Sequence, residues 1–307
     1  MEMPIKILKT PNIPKREYQK FKTDDPILQE IVDNFTFVLE RELSQENLQL
    51  FYNNISTLKI DYESILSGLK SSLSKSNIVV GYYFLMENII SVLPLGKKKY
   101  WGKYINVSIE EYIVNICHEL LHMSSTIIDS ENKVSFSGLS QVSDETPIGL
   151  AIDDAYTELL LYRYFNLNKA YMSYDYEIII TSLIEEIISK NKMTNLYFTA
   201  NLYGLVEELK KYNTKENILK FLEDLDSIYA LRDYSRGYKK DIIYYHNEIS
   251  YFIVSTYQNK LKRDLEEGRI TQGIYDTKLD HCTKNISAAF NKLKVTNSKK
   301  IIRRNHS

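Results

Sequence analysis

The sequence predicts a mostly helical protein of the α+β class, in which a small mixed sheet lies between two helical regions. Apolar residues recur at helical spacing over residues 25 to 75 and again over most of residues 175 to 295. Between these regions, residues 78 to 107 contain β-branched and aromatic runs of strand length. With 307 residues, 44% of them apolar, the chain is long enough to bury a core of its own.

The charge balance bears on the partners that this chain can attract. Its 39 Lys and Arg residues match 40 Asp and Glu residues, so no net field draws nucleic acid or an anionic membrane to it. Residues 281 to 307 contain lysines and arginines but no acidic residue, and a solvated tail is the favoured interpretation of this stretch. We therefore expect neither a nucleic acid nor a membrane as a partner.

The sequence lacks the features of secreted and membrane proteins. Cys117 and Cys282 are too few for a disulfide framework in a chain of this length, which favours a reducing compartment. The first residues lack the apolar core of a secretory signal. The most apolar stretch, residues 78 to 95, is interrupted by charged and polar residues and by a proline. We expect a cytoplasmic protein, and non-classical export stays open.

The first predicted strands form a hairpin. Residues 78 to 86 and 89 to 92 are β-branched and aromatic runs parted by Glu87 and Asn88, which is typical of two paired strands. Residues 104 to 107 predict a further short strand. The predicted sheet therefore ends just before the next helix begins.

That helix has a recognisable start. Ser108 and Glu111 fit a capping box, in which the serine oxygen accepts a first-turn amide hydrogen and the glutamate reaches back to the cap. The predicted helix begins near residue 109 and runs to about residue 125. His118 and His122 lie one turn apart on one of its faces.

The remainder of the chain is predicted as a loop followed by helices. Residues 129 to 146 are rich in serine and charge and predict a loop that rims a site. Thr146 and Pro147 are typical of an N-cap and a first helical position, and they predict a helix that runs to about Tyr164. Further helices follow, with breaks near residues 192 to 194, 212 to 214 and 237. We expect one catalytic unit with two lobes, residues 1 to 130 and 131 to 307.

The motif with the clearest chemistry is His118-Glu119-Leu120-Leu121-His122. Positions i and i+4 of a helix project from the same face, so both imidazoles can bind a single zinc ion. Glu119 lies between them and can reach a metal-bound water from the same side. Zinc lowers the pKa of such a water towards neutrality, and a glutamate can then accept its proton. The motif therefore predicts a Zn²⁺-dependent hydrolase.

A second pair of side chains completes the predicted site. Asp154 lies 32 residues after His122 and forms another i, i+4 pair with Glu158. Catalytic zinc takes three protein ligands and keeps one open position, and its histidines need acceptors for their outer N–H groups. Two carboxylates on one helix face can serve both needs.

The two motifs together resemble those of the gluzincin branch of the zincin metallopeptidases, the thermolysin-like enzymes, whose second motif runs Asn-Glu-x-x-Ser-Asp. Residues 153 to 158 follow that motif position for position, and the resemblance covers about residues 78 to 165. They also resemble an Asn-Glu-Gly-x-Thr-Glu variant seen in small bacterial HExxH proteins. The resemblance implies that Asp154 is the third zinc ligand and that Glu158 is the outer carboxylate holding His118. Asp154 replaces the family's glutamate, which is longer by one methylene.

The resemblance also implies a zincin-like fold and a mechanism. An upper lobe would contain the sheet and the HExxH helix, a lower lobe would be all-helical, and a cleft would lie between them. The strand within residues 78 to 86 would pair with an extended peptide. Glu119 would act as general base in a zinc metallopeptidase, and His246 would stabilise the oxyanion as a distal histidine does in these enzymes.

Several alternatives stay open at this stage. Glu158 can be the third ligand in place of Asp154, or an ion-pair partner of Arg163. His246 also fits a hydrogen-bonded core histidine. The chain can be a catalytically inactive zincin scaffold with an interaction or regulatory role. A peptide or protein substrate is the expected partner.

Overall fold

The computed structural model describes residues 6–62, 81–100, 103–143, 146–166, 174–231 and 238–304. Its helices are α1 (Pro26–Glu42), α2 (Gln49–Ile55), α3 (Ile109–Ser124), α4 (Leu150–Phe165), α5 (Asp175–Ile188), α6 (Lys190–Phe198), α7 (Leu202–Leu209), α8 (Lys215–Leu231), α9 (Lys239–Glu266) and α10 (Gln272–Arg304). Its strands are β1 (Lys59–Asp61), β2 (Gly81–Phe84), β3 (Ile89–Val92), β4 (Gly96–Tyr100), β5 (Lys103–Val107), β6 (Thr126–Asp129), β7 (Val134–Ser137), β8 (Ser140–Ser143) and β9 (Thr146–Ile148). The predicted α+β, mostly helical class is confirmed.

The first sheet is small and mixed. Its order is β1-β3-β2, with β1 parallel and β2 antiparallel to the central strand β3. The hairpin of β2 and β3 confirms the prediction, while residues 78 to 80 lie outside the described part of the chain. Asn88 closes its turn with a φ of 52°, a left-handed conformation that asparagine tolerates better than most residues. A separate hairpin of β4 and β5 leads into α3.

The predicted loop over residues 129 to 146 is wrong, because these residues contribute to a four-stranded antiparallel meander in the order β6-β7-β8-β9. Val134 and Phe136 of β7 are buried and form a small core cluster with Leu50 and Ala200. The serines that suggested a loop alternate with these apolar residues and pair through their backbones. The segment predicted to begin an all-helical lobe therefore begins with a sheet.

The start of α4 also differs from the prediction. Thr146 and Pro147 lie in β9, at the edge of the meander, where a proline removes no hydrogen bond that the sheet needs. The helix begins at Leu150, after Gly149 with a φ of 82°. The amides of Gly149 and Ala151 donate to the carboxylate of Asp226 in α8, at 2.7 and 2.8 Å. A distant side chain thus caps this helix in place of Thr146.

Two of the three predicted breaks between the later helices fall on residues that the structure describes. Residues 192 to 194 lie inside α6, so the predicted break there is wrong, and the chain turns instead at Ser189, whose φ is 88°. The break at residues 212 to 214 is confirmed between α7 and α8. Gly237 lies outside the described residues.

A single large cluster of buried apolar residues extends through both halves of the chain. Within it, α4 packs against α3, α5 and α8 and is therefore central to the molecule. Leu120 and Leu121 of α3 and Ile152 of α4 are fully buried in this cluster. None of the helices in the described segments is both long enough and apolar enough to cross a membrane. The division into two lobes near residue 130 stays a prediction.

Candidate metal centre

The first half of the site lies on α3. The hydroxyl of Ser108 accepts a hydrogen bond from the backbone of Glu111, as the capping box predicts, so the helix begins at Ile109. Ten residues later the Nε2 atoms of His118 and His122 lie 3.1 Å apart. The buried stripe of α3 holds the helix against the core, which leaves the two imidazoles on the face directed towards α4.

The second half of the site lies on α4. Oδ1 of Asp154 lies 3.2 Å from Nε2 of His122. One ligand atom from each of His118, His122 and Asp154 lies within 4.8 Å of the others. The structure therefore brings together the three residues that the sequence predicted as metal ligands.

The donor set fits a divalent transition metal. Zinc binds imidazole nitrogen and carboxylate oxygen at about 2.0 to 2.1 Å, so neighbouring ligand atoms of a tetrahedral site lie about 3.3 Å apart. Two of the separations, 3.1 Å between the histidines and 3.2 Å between His122 and Asp154, are close to that spacing, and all three ligand atoms lie within 4.8 Å of one another. Two nitrogens and one oxygen also suit other first-row metals, so the donor set by itself does not select zinc.

Asp153 contacts the outer nitrogen of His122, one of the candidate ligands. Its Oδ2 lies 3.3 Å from Nδ1 of His122, and its Oδ1 accepts a hydrogen bond of 2.8 Å from the amide of Leu139. An outer carboxylate of this kind fixes the tautomer and the ring orientation of a metal-binding histidine. The sequence interpretation assigned this type of role to Glu158 alone. The available signal was the position of Asp153 directly before Asp154, at the asparagine of the related motif.

Two tyrosines next to the site were missed. The hydroxyl of Tyr229 in α8 donates a hydrogen bond of 2.6 Å to Oδ2 of Asp154. The ring of Tyr174 stacks on that of Tyr229, with 5.6 Å between the ring centroids. Tyr229 lies 75 residues from Asp154, among 25 tyrosines of the chain, and no local pattern distinguishes it.

Glu119 is buried beside β2 of the first sheet. Burial raises the pKa of Glu119 to about 7, against a smaller lowering effect of His122 and of the backbone N–H of Tyr83. Gly81 in the same strand leaves room for this carboxylate, because a Cβ atom there would lie 3.2 Å from Oε1 of Glu119. The predicted base therefore contacts β2 and is close enough to His122 for the charge of that imidazole to act on its pKa.

The three candidate ligands have opposed protonation tendencies. Burial, with a smaller contribution from His122, lowers the pKa of His118 to about 3. Burial also acts to lower the pKa of His122, but hydrogen bonds to Asp153 and Asp154 outweigh it and raise that pKa. For Asp154, hydrogen bonds and the charge of His122 outweigh burial and lower the pKa to about 2. Because a metal needs a neutral imidazole, its binding would release the proton of His122.

The remaining predicted residues lie outside the group of three ligands. Glu158 is buried, and its Oε2 accepts a hydrogen bond from the backbone of Tyr174 at 3.3 Å. Arg163 forms its ion pair with Glu185 of α5.

His246 packs in the core of the helical region. Its Nδ1 lies 3.2 Å from the hydroxyl of Tyr176, and its ring stacks on Phe290. None of these partners belongs to the ligand group, so this packing gives no support to an oxyanion role for His246.

No family model, no curated protein and no solved structure matches this chain.

Proposed function

We propose that this protein is a zinc-dependent metallopeptidase with a zincin-like fold. The observation that carries the proposal is the convergence of His118, His122 and Asp154 within 4.8 Å, next to the buried carboxylate of Glu119. Three protein ligands leave a fourth position for water or substrate, which is the arrangement of a catalytic zinc site.

The residues would divide the reaction among them. His118, His122 and Asp154 would hold zinc, which when bound polarises a carbonyl group and lowers the pKa of water. Glu119 would accept the proton of the attacking water and pass it to the leaving amine.

The first sheet offers a place for the peptide. β2 is an outer strand of this sheet as far as the described residues show, and the backbone N–H of Tyr83 is directed to Glu119. An extended peptide could add to this edge through main-chain hydrogen bonds and would then pass directly over the base. This geometry supports a peptide or protein substrate over a small-molecule one.

A catalytically inactive scaffold is the second candidate. A structural zinc site is closed by four protein ligands and has no use for a buried general base. Three ligands and Glu119 therefore favour the enzyme. The two cysteines of the chain agree with a cytoplasmic setting, and its balanced charge agrees with neither a nucleic acid nor a membrane as partner.

The test combines metal analysis with a single substitution. Purified wild type should contain about one zinc per chain, and Glu119→Gln should retain that zinc while hydrolysis of a random peptide library, followed by mass spectrometry, falls by at least about a hundredfold. Glu131→Gln, a change at an exposed turn residue, is the matched control and should retain activity. The proposal would be refuted if Glu119→Gln hydrolysed peptides as fast as wild type. It would also be refuted if purified wild type contained no metal.

A further inference from the structure

We propose that Tyr229 positions Asp154 as a ligand through one oxygen only, so that α8 sets the coordination number of the metal centre. This inference rests on the proposed function and adds a residue to it that no motif of the chain contains. Tyr229 acts here through Asp154 and is a positioning residue.

The two oxygens of Asp154 have different partners. Oδ1 lies 3.2 Å from Nε2 of His122, inside the ligand group, whereas Oδ2 accepts the hydrogen bond of 2.6 Å from the hydroxyl of Tyr229. A short hydrogen bond to a carboxylate is stronger than one between neutral groups, so it fixes the rotation of the carboxyl plane. With that rotation fixed, Oδ1 is the oxygen presented to a metal.

A second contact fixes α8 relative to α4. The carboxylate of Asp226 accepts hydrogen bonds from the amides of both Gly149 and Ala151. Tyr229 follows Asp226 by three residues, and Asp154 follows Ala151 by three residues. Because residues three apart lie on the same helix face, the two contacts join one face of α8 to one face of α4. The start of α4 and its metal ligand are therefore both held by α8.

The ring of Tyr229 is itself held in place. It stacks on the ring of Tyr174 at an interplanar angle of 27°. The backbone amide of Tyr174 in turn donates to Oε2 of Glu158 on α4. Tyr229 is therefore joined to α4 twice, directly through Asp154 and indirectly through Tyr174 and Glu158. These contacts restrict the movement of the Tyr229 hydroxyl away from Asp154.

Binding through one oxygen matters for the fourth position of the site. A carboxylate that binds through both oxygens occupies two coordination positions, and the second is the position needed by water or substrate. Without the hydroxyl of Tyr229, Oδ2 would be free to approach the metal. We therefore expect Tyr229 to keep the centre four-coordinate and open.

The experiment compares Tyr229→Phe with Tyr257→Phe. The control removes the same kind of bond, because the hydroxyl of Tyr257 donates to Glu186 at 2.9 Å, away from the metal ligands. Each full-length protein is freed of metal with a chelator, titrated with cobalt(II) chloride and followed by its visible absorption. For Tyr229→Phe we expect an apparent dissociation constant about 10 to 100-fold higher, because Asp154 loses the hydrogen bond that orients it. We also expect weaker visible bands, because the coordination number of the cobalt ion rises. Tyr257→Phe should have the same dissociation constant for cobalt and the same visible absorption bands as wild type.

The outcomes separate this inference from the proposed function. Wild type that binds no cobalt or zinc would refute the metal site itself. Wild type that binds, with Tyr229→Phe equal to it in affinity and spectrum, would refute the positioning role alone. Unchanged affinity and spectrum with slower peptide hydrolysis would instead place Tyr229 on the substrate. Circular dichroism checks that each variant folds, and Tyr229→Leu provides a second side chain without a hydroxyl.

Discussion

Nδ1 of His122 lies 3.3 Å from Oδ2 of Asp153, while Nε2 of the same ring lies 3.2 Å from Oδ1 of Asp154. Two consecutive residues of α4 thus contact the two nitrogens of one imidazole of α3. When Nδ1 donates its proton to Asp153, Nε2 is left free to bind a metal. The contact between the two helices and the orientation of the ligand therefore depend on the same pair of carboxylates.

Asp153→Ala should weaken metal binding without removing it. The variant leaves Nδ1 of His122 and the amide of Leu139 without this acceptor, and an outer-shell loss of this kind costs about 10 to 100-fold in affinity. Competition for zinc with a chromophoric chelator measures the change in metal affinity. Asp153→Asn should retain most of the affinity, because its amide oxygen can still accept from Nδ1. An equal loss in both variants would contradict an orienting role.

Asp154→Ala and Glu158→Ala should differ in their metal content. Asp154 belongs to the ligand group, so its loss should reduce zinc affinity by more than the roughly 100-fold expected for an outer-shell residue. Glu158→Ala should keep zinc at micromolar protein concentration. The zinc content of each variant is measured by metal analysis after gel filtration. If Glu158→Ala contained no zinc while Asp154→Ala retained it, Glu158 and not Asp154 would be the third ligand.

Gly138→Ala should destabilise the fold next to the site. Gly138 has a φ of 51°, and a Cβ atom there would lie 1.9 Å from Oδ1 of Asp153. Strain in the backbone and displacement of that carboxylate together should lower the free energy of unfolding by about 2 to 4 kcal/mol. Urea-induced unfolding of the variant and of wild type measures this change in the free energy of unfolding. Gly273→Ala in α10 is the control, since nothing lies within 4 Å of its Cβ position and alanine favours a helix.

The stability of the metal-free protein should depend on pH through Asp226. Burial raises the pKa of Asp226 from 3.8 to about 6, although the amides of Gly149 and Ala151 oppose the shift. Between these values the folded chain binds more protons than the unfolded chain. The contribution of this carboxyl to the free energy of unfolding is therefore complete below 3.8 and is lost as the pH rises through about 6.

Asp226→Asn should remove that dependence. Urea unfolding in the presence of a chelator, at intervals from about pH 4 to pH 7, should show the wild type losing up to about 3 kcal/mol relative to the variant. Asp280→Asn, at a carboxylate that is 60% exposed, should follow the wild-type curve. Parallel curves for Asp226→Asn and wild type would show that this carboxyl does not titrate in that range.

The sequence by itself determined the parts of the molecule that depend on neighbours along the chain. Ser108 and Glu111 gave the start of α3, and the i, i+4 spacing of His118 and His122 placed both imidazoles on one face. The same spacing predicted that Asp154 and Glu158 share one face of a second helix, and the resemblance to the gluzincin motif selected Asp154 as the third ligand. Helical period, cap and hairpin spacing are local properties, so no knowledge of the fold was needed to predict them.

Only the tertiary structure decided the partners of these residues. The serine-rich segment after α3 pairs into a meander because Val134 and Phe136 find buried space against Leu50 and Ala200, which are remote in sequence. Asp226 and Tyr229 reach the start of α4 and Asp154 from 75 to 77 residues away. A hydrogen bond forms where two chain segments meet in space, and no local period encodes which segments meet. The three candidate ligands were therefore readable from the sequence, while the residues that contact them from distant parts of the chain were not.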